Sequence, residues 1–324
     1  MPHRPVATWP VLRRRAELLQ RLRAFFASRG YLEVETPLLS HDIVVDRHLD
    51  PFYTVLAPDA RRPDEGETLW LQTSPEAAMK RLLAAGATSI YQVTRSFRNG
   101  ERGPLHNPEF TIAEWYAVGQ CYDEAMTFTS ELCDDLLGLG PAERLSYAEA
   151  FQRWAGVDPH SAEPAELREA ARRLGLAAPA SLSGDDRDGW LNLLLVERVE
   201  PRLREFARPV ILFDFPAGQA ALAQVRGQPP VAERFELYAG GLELANGYHE
   251  LLDANVLRLR SRRANQERVQ DGKPPLPEES QLLAAMDRGL PDCCGVALGF
   301  DRLVMLAVGA KTIDEVLAFP INRA

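Results

Sequence analysis

Residues 95–116 read RSFRNGERGPLHNPEFTIAEWY. Two runs, Ser89 to Phe97 and Phe110 to Val118, carry the β-branched and aromatic content of strands, and the polar loop between them predicts an antiparallel pair. Arg98 falls at the end of the first strand, where a planar guanidinium can bridge two oxyanions. A second arginine, Arg302, closes the run GVALGFDR at 295–302, with Gly299 ahead of what reads as the last long helix.

Working outward, Leu12, Ala16, Leu19, Leu22 and Phe26 recur at helical spacing between Pro10 and Arg29, and Gly30 stops the helix. Tyr31 to Pro37 alternates as a strand, Leu69 to Gln72 reads as a short one, and Thr73-Ser74-Pro75-Glu76 is a helix start. Helices are predicted at 123–137, 163–174 and 187–206, with Ala177 to Asp188 as an exposed link. Val210 to Phe215 and Glu233 to Glu250 return to strand character, the latter broken by Gly240-Gly241 and Gly247. Two more helices, near 253–270 and 277–288, precede a final strand and helix. Strand-rich blocks flanking helical ones predict an α+β fold, mainly an antiparallel sheet flanked by helices, rather than repeated βαβ units.

At 324 residues and 46% apolar composition the chain can bury a large core, read as a single domain over 1–324 with a mostly helical insertion at about 140–208. Thirty-seven basic against 46 acidic residues give a net charge of -9, which offers no bulk attraction to a phosphate backbone. The arginines at 13, 14, 15, 21 and 23 read as a solvated helix face. Four cysteines, at 121, 133, 293 and 294, lack disulfide or zinc spacing and read as reduced thiols. With no apolar run of membrane-spanning length and no signal-like start, the expected location is the cytoplasm, with no membrane partner.

Neither a P-loop nor a dinucleotide fingerprint occurs, so a bound phosphate has to be held mainly by side chains such as Arg98 and Arg302. Taken singly, either arginine is equally a surface ion-pair partner. Glu236 and Glu243 stand seven residues apart across the Gly240-Gly241 break, so two hard oxygen donors can face one point, as Mg²⁺ requires; two solvent-facing acids are the plain alternative. Glu76, Glu114 and Glu250 lie among apolar or aromatic neighbours, as do Tyr116 and Asn246. Buried acids without partners would protonate, and a diamino acid carrying two ammonium groups supplies partners. Each acid could also cap a helix or meet a nearby Lys or Arg.

Three motifs in order, HNPEFT with Glu114 and Tyr116, then ELANGYHE at 243–250, then GVALGFDR, resemble the second and third signature motifs of class II aminoacyl-tRNA synthetases of the lysyl type. Gly30 to Pro37 with the preceding helix resembles the first motif, which in that class builds the dimer interface and so implies a homodimer. The resemblance implies the class II catalytic core. No anticodon-binding domain is expected, because the first motif begins near residue 10, and a stand-alone core of this kind resembles the lysine ligases that act on elongation factor P. Residue by residue, the resemblance implies that Ser74, Pro75, Glu76, Tyr116 and Glu250 contact the amino acid, with Glu114 and Asn246 beside them. Arg98, Asn99, Asn107, Glu243, Leu244, Gly299 and Arg302 would contact ATP, and Glu236 and Glu243 would hold Mg²⁺. Two departures stand out: Gly100 follows Arg98-Asn99 where the class usually has Glu, and Pro104-Leu105 replaces a basic residue. Ala297 replaces the middle glycine of the usual G-x-G-x-G, and its methyl suits a pocket for an amino group on the β carbon, as in (R)-β-lysine.

The implied chemistry is ATP-dependent, with Arg98 and Arg302 as the catalytic groups. (R)-β-lysine or lysine is activated as an adenylate and joined to a lysine side chain of elongation factor P, with no tRNA as acceptor. The rival readings are a truncated lysyl-tRNA synthetase acting on tRNA, and a catalytically silent synthetase-like module that regulates a partner.

Overall fold

A computed structural model describes residues 3–324, which fall into two units, residues 3–120 with 251–324, and residues 121–250. The first unit opens with α1 (Trp9–Ser28), whose Pro10 sits in the first turn and whose Leu18, Leu22, Phe25 and Phe26 are buried. Then come β1 (Leu32–Glu33), β2 (Leu39–Ser40), β3 (Tyr53–Leu56), β4 (Glu67–Leu71), α2 (Glu76–Ala84), β5 (Ser89–Phe97) and β6 (Glu109–Val118). The stretch read as one strand from Tyr31 to Pro37 is strand only at Leu32 and Glu33, in parallel with Ile90 and Tyr91, with one further main-chain bond from Val34 N to Tyr91 O at 2.9 Å.

The second unit holds α3 (Tyr122–Leu137), β7 (Glu143–Ser146), α4 (Tyr147–Trp154), α5 (Pro164–Arg173), α6 (Arg187–Leu194), α7 (Glu200–Leu203), β8 (Val210–Pro216), β9 (Val225–Arg226), β10 (Val231–Ala239) and β11 (Leu242–His249). The helix predicted over 187–206 is interrupted by a π-helical turn at Leu195–Val199, just before Pro201, whose missing N–H cannot continue an α ladder. Gly240 and Gly241, with φ of 59° and 79°, make the tight turn joining β10 to β11. The chain returns to the first unit with α8 (Ala254–Gln270), α9 (Gln281–Met286), β12 (Cys293–Gly299) and α10 (Phe300–Val308).

In the first unit the strands run in the order β1, β5, β6, β12, and all pairings after the first are antiparallel; β2, β4 and β3 form a small separate sheet. Phe26 of α1 stacks on Tyr91 at 4.4 Å and lies 5.4 Å from Trp115, so the helix face read from its spacing is the face that closes the core. In the second unit the order is β11, β10, β8, β7, with only the β7–β8 pair parallel. Its core joins Tyr147, Phe151, Leu167, Trp190, Leu194 and Phe215. The α+β class, with mostly antiparallel strands flanked by helices, is thus the observed architecture. All four cysteines are free thiols, and among the described residues no helix is long and apolar enough to cross a membrane.

Candidate active site

In the first unit, β5 ends at Phe97 and delivers Arg98 to the mouth of the loop, as its place in the sequence predicts. The guanidinium lies 5.0 Å over the Phe110 ring, its Nε donates to the Thr73 carbonyl at 3.4 Å, and Nη1 is 3.7 Å from Glu101. These are loose contacts, so Arg98 keeps capacity for an oxyanion. Gly100, with φ of 81°, turns the chain directly after Arg98-Asn99, a backbone state that a glutamate there would adopt only with strain. The Asn99 amide is fixed to the Asp50 carbonyl at 2.7 Å. Asn107 is buried, its Nδ2 donating to Glu109 O at 2.6 Å and its Oδ1 accepting from Ile321 N at 3.0 Å.

Gly299 caps α10, and Arg302 follows in its first turn. Its Nη2 lies 2.6 Å from Nε2 of His106, so the imidazole accepts from the guanidinium and ties the loop to the helix start. The neighbouring Asp301 is 2% exposed and takes an ion pair from Arg15 at 2.6 Å together with the Thr111 amide at 2.7 Å. Arg15, read as part of a solvated arginine face, is therefore turned inward; a buried carboxylate opposite it outweighs its hydration. Sequence spacing gave no signal for that pairing.

Glu114 and Tyr116 lie two apart on β6 and so share a face, and the Tyr116 hydroxyl donates to Glu114 Oε1 at 2.5 Å. Ala297 faces Glu114 across the β12–β6 register. At the start of α2, Ser74 Oγ accepts from the Glu76 amide at 3.4 Å, and Pro75 stands at the cap position. Glu76 Oε1 is only 2.5 Å from Nζ of Lys80, a lysine buried to 2% exposure. An internal ammonium thus already occupies one oxygen of this acid, one helical turn away, which is the nearby-lysine alternative open for each acid in the sequence.

In the second unit, the β10–β11 hairpin sets Glu236 opposite Asn246 and Tyr238 opposite Glu243, with a bulge between Leu237 and Tyr238 that re-aims the side chains. Glu236 accepts from Arg234 Nη2 and from the Tyr238 hydroxyl, each at 2.5 Å. Burial pushes its carboxyl up to about 7; Arg234 opposes the shift and the charge of Glu243 adds to it. Leu244 and Glu250 are buried on β11 and just past its end. Gly247 is a steric necessity, because a Cβ there would lie 2.3 Å from the Phe235 ring facing it.

Over residues 7–323 the chain matches the tRNA synthetases class II (D, K and N). The chain belongs to that family. Among its relatives in this class II family, an "Elongation factor P--(R)-beta-lysine ligase" of Klebsiella pneumoniae subsp. pneumoniae is 49% identical over 323 residues, 99% of this chain and 98% of the relative. A protein of the same name from Salmonella paratyphi B is 47% identical over 321 residues, again 99% of this chain and 98% of the relative. As a class II synthetase-type protein with ligase relatives along its length, the protein is an ATP-dependent ligase.

Proposed function

We propose that this chain activates (R)-β-lysine, or lysine, with ATP and transfers it to a lysine side chain of elongation factor P. The observation that carries this reading is the 49% identity, over 99% of the chain, to a relative named for that ligation. In the first step an amino acid carboxylate oxygen attacks the α-phosphorus of ATP; the new O–P bond forms as the bond to pyrophosphate breaks. Arg98 bridges the attacking carboxylate and the α-phosphate, and Arg302 holds the triphosphate farther along. Asn99, Asn107, Glu243, Leu244 and Gly299 complete the nucleotide contacts. In the second step the acceptor ε-amine attacks the activated carbonyl, an amide forms as the nitrogen gives up one proton to solvent, and AMP leaves with the electron pair of the acyl–phosphate bond.

Glu236 and Glu243 would hold Mg²⁺. What supports them is hard carboxylate chemistry, and a Glu236 carboxyl lifted by burial first and by the charge of Glu243 after it, a charge that a divalent ion would offset. When bound, the ion neutralises phosphate charge in the transition state. Ser74, Pro75, Glu76, Glu114, Tyr116, Asn246, Glu250 and Ala297 take the amino acid, the acids meeting its ammonium groups. Because Lys80 occupies Oε1 of Glu76, the substrate is left Oε2. The reading includes a homodimer through α1 and β1, where Trp9 and Leu32 are exposed apolar side chains.

The test is an incubation with ATP, (R)-β-lysine and either elongation factor P or tRNA(Lys), read by mass spectrometry and acid-stable label. Modification of the protein acceptor alone is expected. Labelled tRNA with unmodified elongation factor P would overturn the assignment.

A further inference from the structure

The second unit contains a polar network that the proposed reaction does not use, and it lies against the strand end that precedes Glu250. His249 closes β11, so strand alternation sends its side chain to the face opposite that of Glu250. Its Nδ1 is hydrogen-bonded to the Glu233 carboxylate, and its Nε2 stands 3.2 Å from the Gln224 amide nitrogen. That pairing suits a ring whose Nδ1–H donates to Glu233 and whose Nε2 accepts from Gln224. Glu233 accepts from Arg226 Nε at 2.7 Å, and Arg226 Nη2 reaches both oxygens of Asp214 at 2.8 and 2.9 Å.

Main-chain bonds tie the same segment to the same strand end. Gln224 N donates to His249 O at 2.8 Å, Glu233 N donates to Gln224 O at 2.9 Å, and Ala223 forms a bridge with Glu250. Asp214 holds φ of 60°, a left-handed state that a residue with a Cβ keeps only where its surroundings over-determine it. Here those surroundings are the two bonds from Arg226 and the Tyr122 hydroxyl, which accepts from the Asp214 amide at 3.3 Å. A cavity of about 380 Å³ lined by Tyr122, Met126, Phe213, Arg226, Glu233 and His249 opens on this side. With open space beside it, the imidazole is oriented by its hydrogen bonds more than by packing.

We infer that the side chains running from Gln224 through His249, Glu233 and Arg226 to Asp214 are a positioning device, fixing the end of β11 and thereby the carboxylate of Glu250 for the substrate ammonium. The inference rests on the proposed role of Glu250 in binding the amino acid. His249 and Glu233 are positioning residues and touch no reacting atom in this account.

Full-length variants are compared by ATP–pyrophosphate exchange with (R)-β-lysine and L-lysine, and by backbone amide exchange without substrate. His249→Ala is expected to raise the KM for the amino acid about tenfold while the KM for ATP stays within about twofold, and to lower amide protection across 247–251 and 223–224. His249→Asn, which keeps a donor near the Nδ1 position, restores most of both. Met126→Leu, in the same cavity but outside the network, moves neither. Parallel rises in both KM values, a fall in kcat alone, or unchanged protection in His249→Ala would overturn the inference. Should the wild type show no exchange with either isomer, the proposed reaction falls, and unchanged amide protection in His249→Ala would still overturn the positioning role by itself.

Discussion

Ala297 on β12 stands directly opposite Glu114 on β6, whose Oε1 is held by the Tyr116 hydroxyl at 2.5 Å. Side chains so paired have Cβ atoms about 4.5–5.5 Å apart, so under the proposed function the Ala297 methyl would limit where a substrate ammonium meets Glu114. A difference of one methyl in a pocket is worth about 1–3 kcal/mol of discrimination. Ala297→Gly is expected to shift the ratio of kcat/KM for (R)-β-lysine over L-lysine toward L-lysine by about tenfold. An unchanged ratio would remove the methyl from isomer choice.

The Arg98 guanidinium makes loose contacts, with Nε 3.4 Å from the Thr73 carbonyl, which suits a group reserved for substrate. Arg98→Ala should abolish amino-acid-dependent pyrophosphate exchange. Arg98→Lys keeps the charge but loses the fork, and a loss of about 10²-fold in kcat is expected. Wild-type exchange in either variant would take Arg98 out of the reaction.

Arg15 joins α1 to α10, through Asp301 at 2.6 Å, and to β6, through Thr111 Oγ1 at 2.7 Å. Removing one partner strands a carboxylate that is 2% exposed. Arg15→Met should therefore destabilise by about 3 kcal/mol in chemical denaturation, and the double variant with Asp301→Asn by less than the sum of the two. Additive losses would show that the two residues act independently.

Asp50 illustrates the pH dependence. Burial raises its carboxyl, but hydrogen bonds and charges from Lys273 and Arg268 outweigh that and hold it below its ordinary value. A carboxyl lowered on folding contributes stability that is present above the unfolded pKa and is lost as pH falls through the folded one. The stability difference between wild type and Asp50→Asn should be constant above about pH 5 and shrink below about pH 4 in thermal melts. A difference that widens toward acid would contradict the pairing.

The sequence was most legible where a local pattern coincides with a packed face. The β5 and β6 runs, the amphipathic α1 and the Gly240-Gly241 break all fall within a residue or two of their predicted places. It was least legible where a partner far along the chain decides the outcome. The small sheet of β2, β3 and β4 arises from short pairings such as Tyr53 with Trp70, which no periodicity announces. For the residues proposed as the site, the elements that carry them could be read, but not their individual partners: Arg234 and Tyr238 on Glu236, Lys80 on Glu76, Arg15 on Asp301. Of these, only Lys80 had a local signal, the i to i+4 spacing from Glu76.

ATP-driven activation of a lysine isomer is the central step of the proposed reaction, and pyrophosphate exchange measured with (R)-β-lysine and L-lysine side by side tests it most directly. The expected result is exchange that requires one of these amino acids and is faster with (R)-β-lysine. No exchange above background with either, at saturating ATP and Mg²⁺, would contradict it.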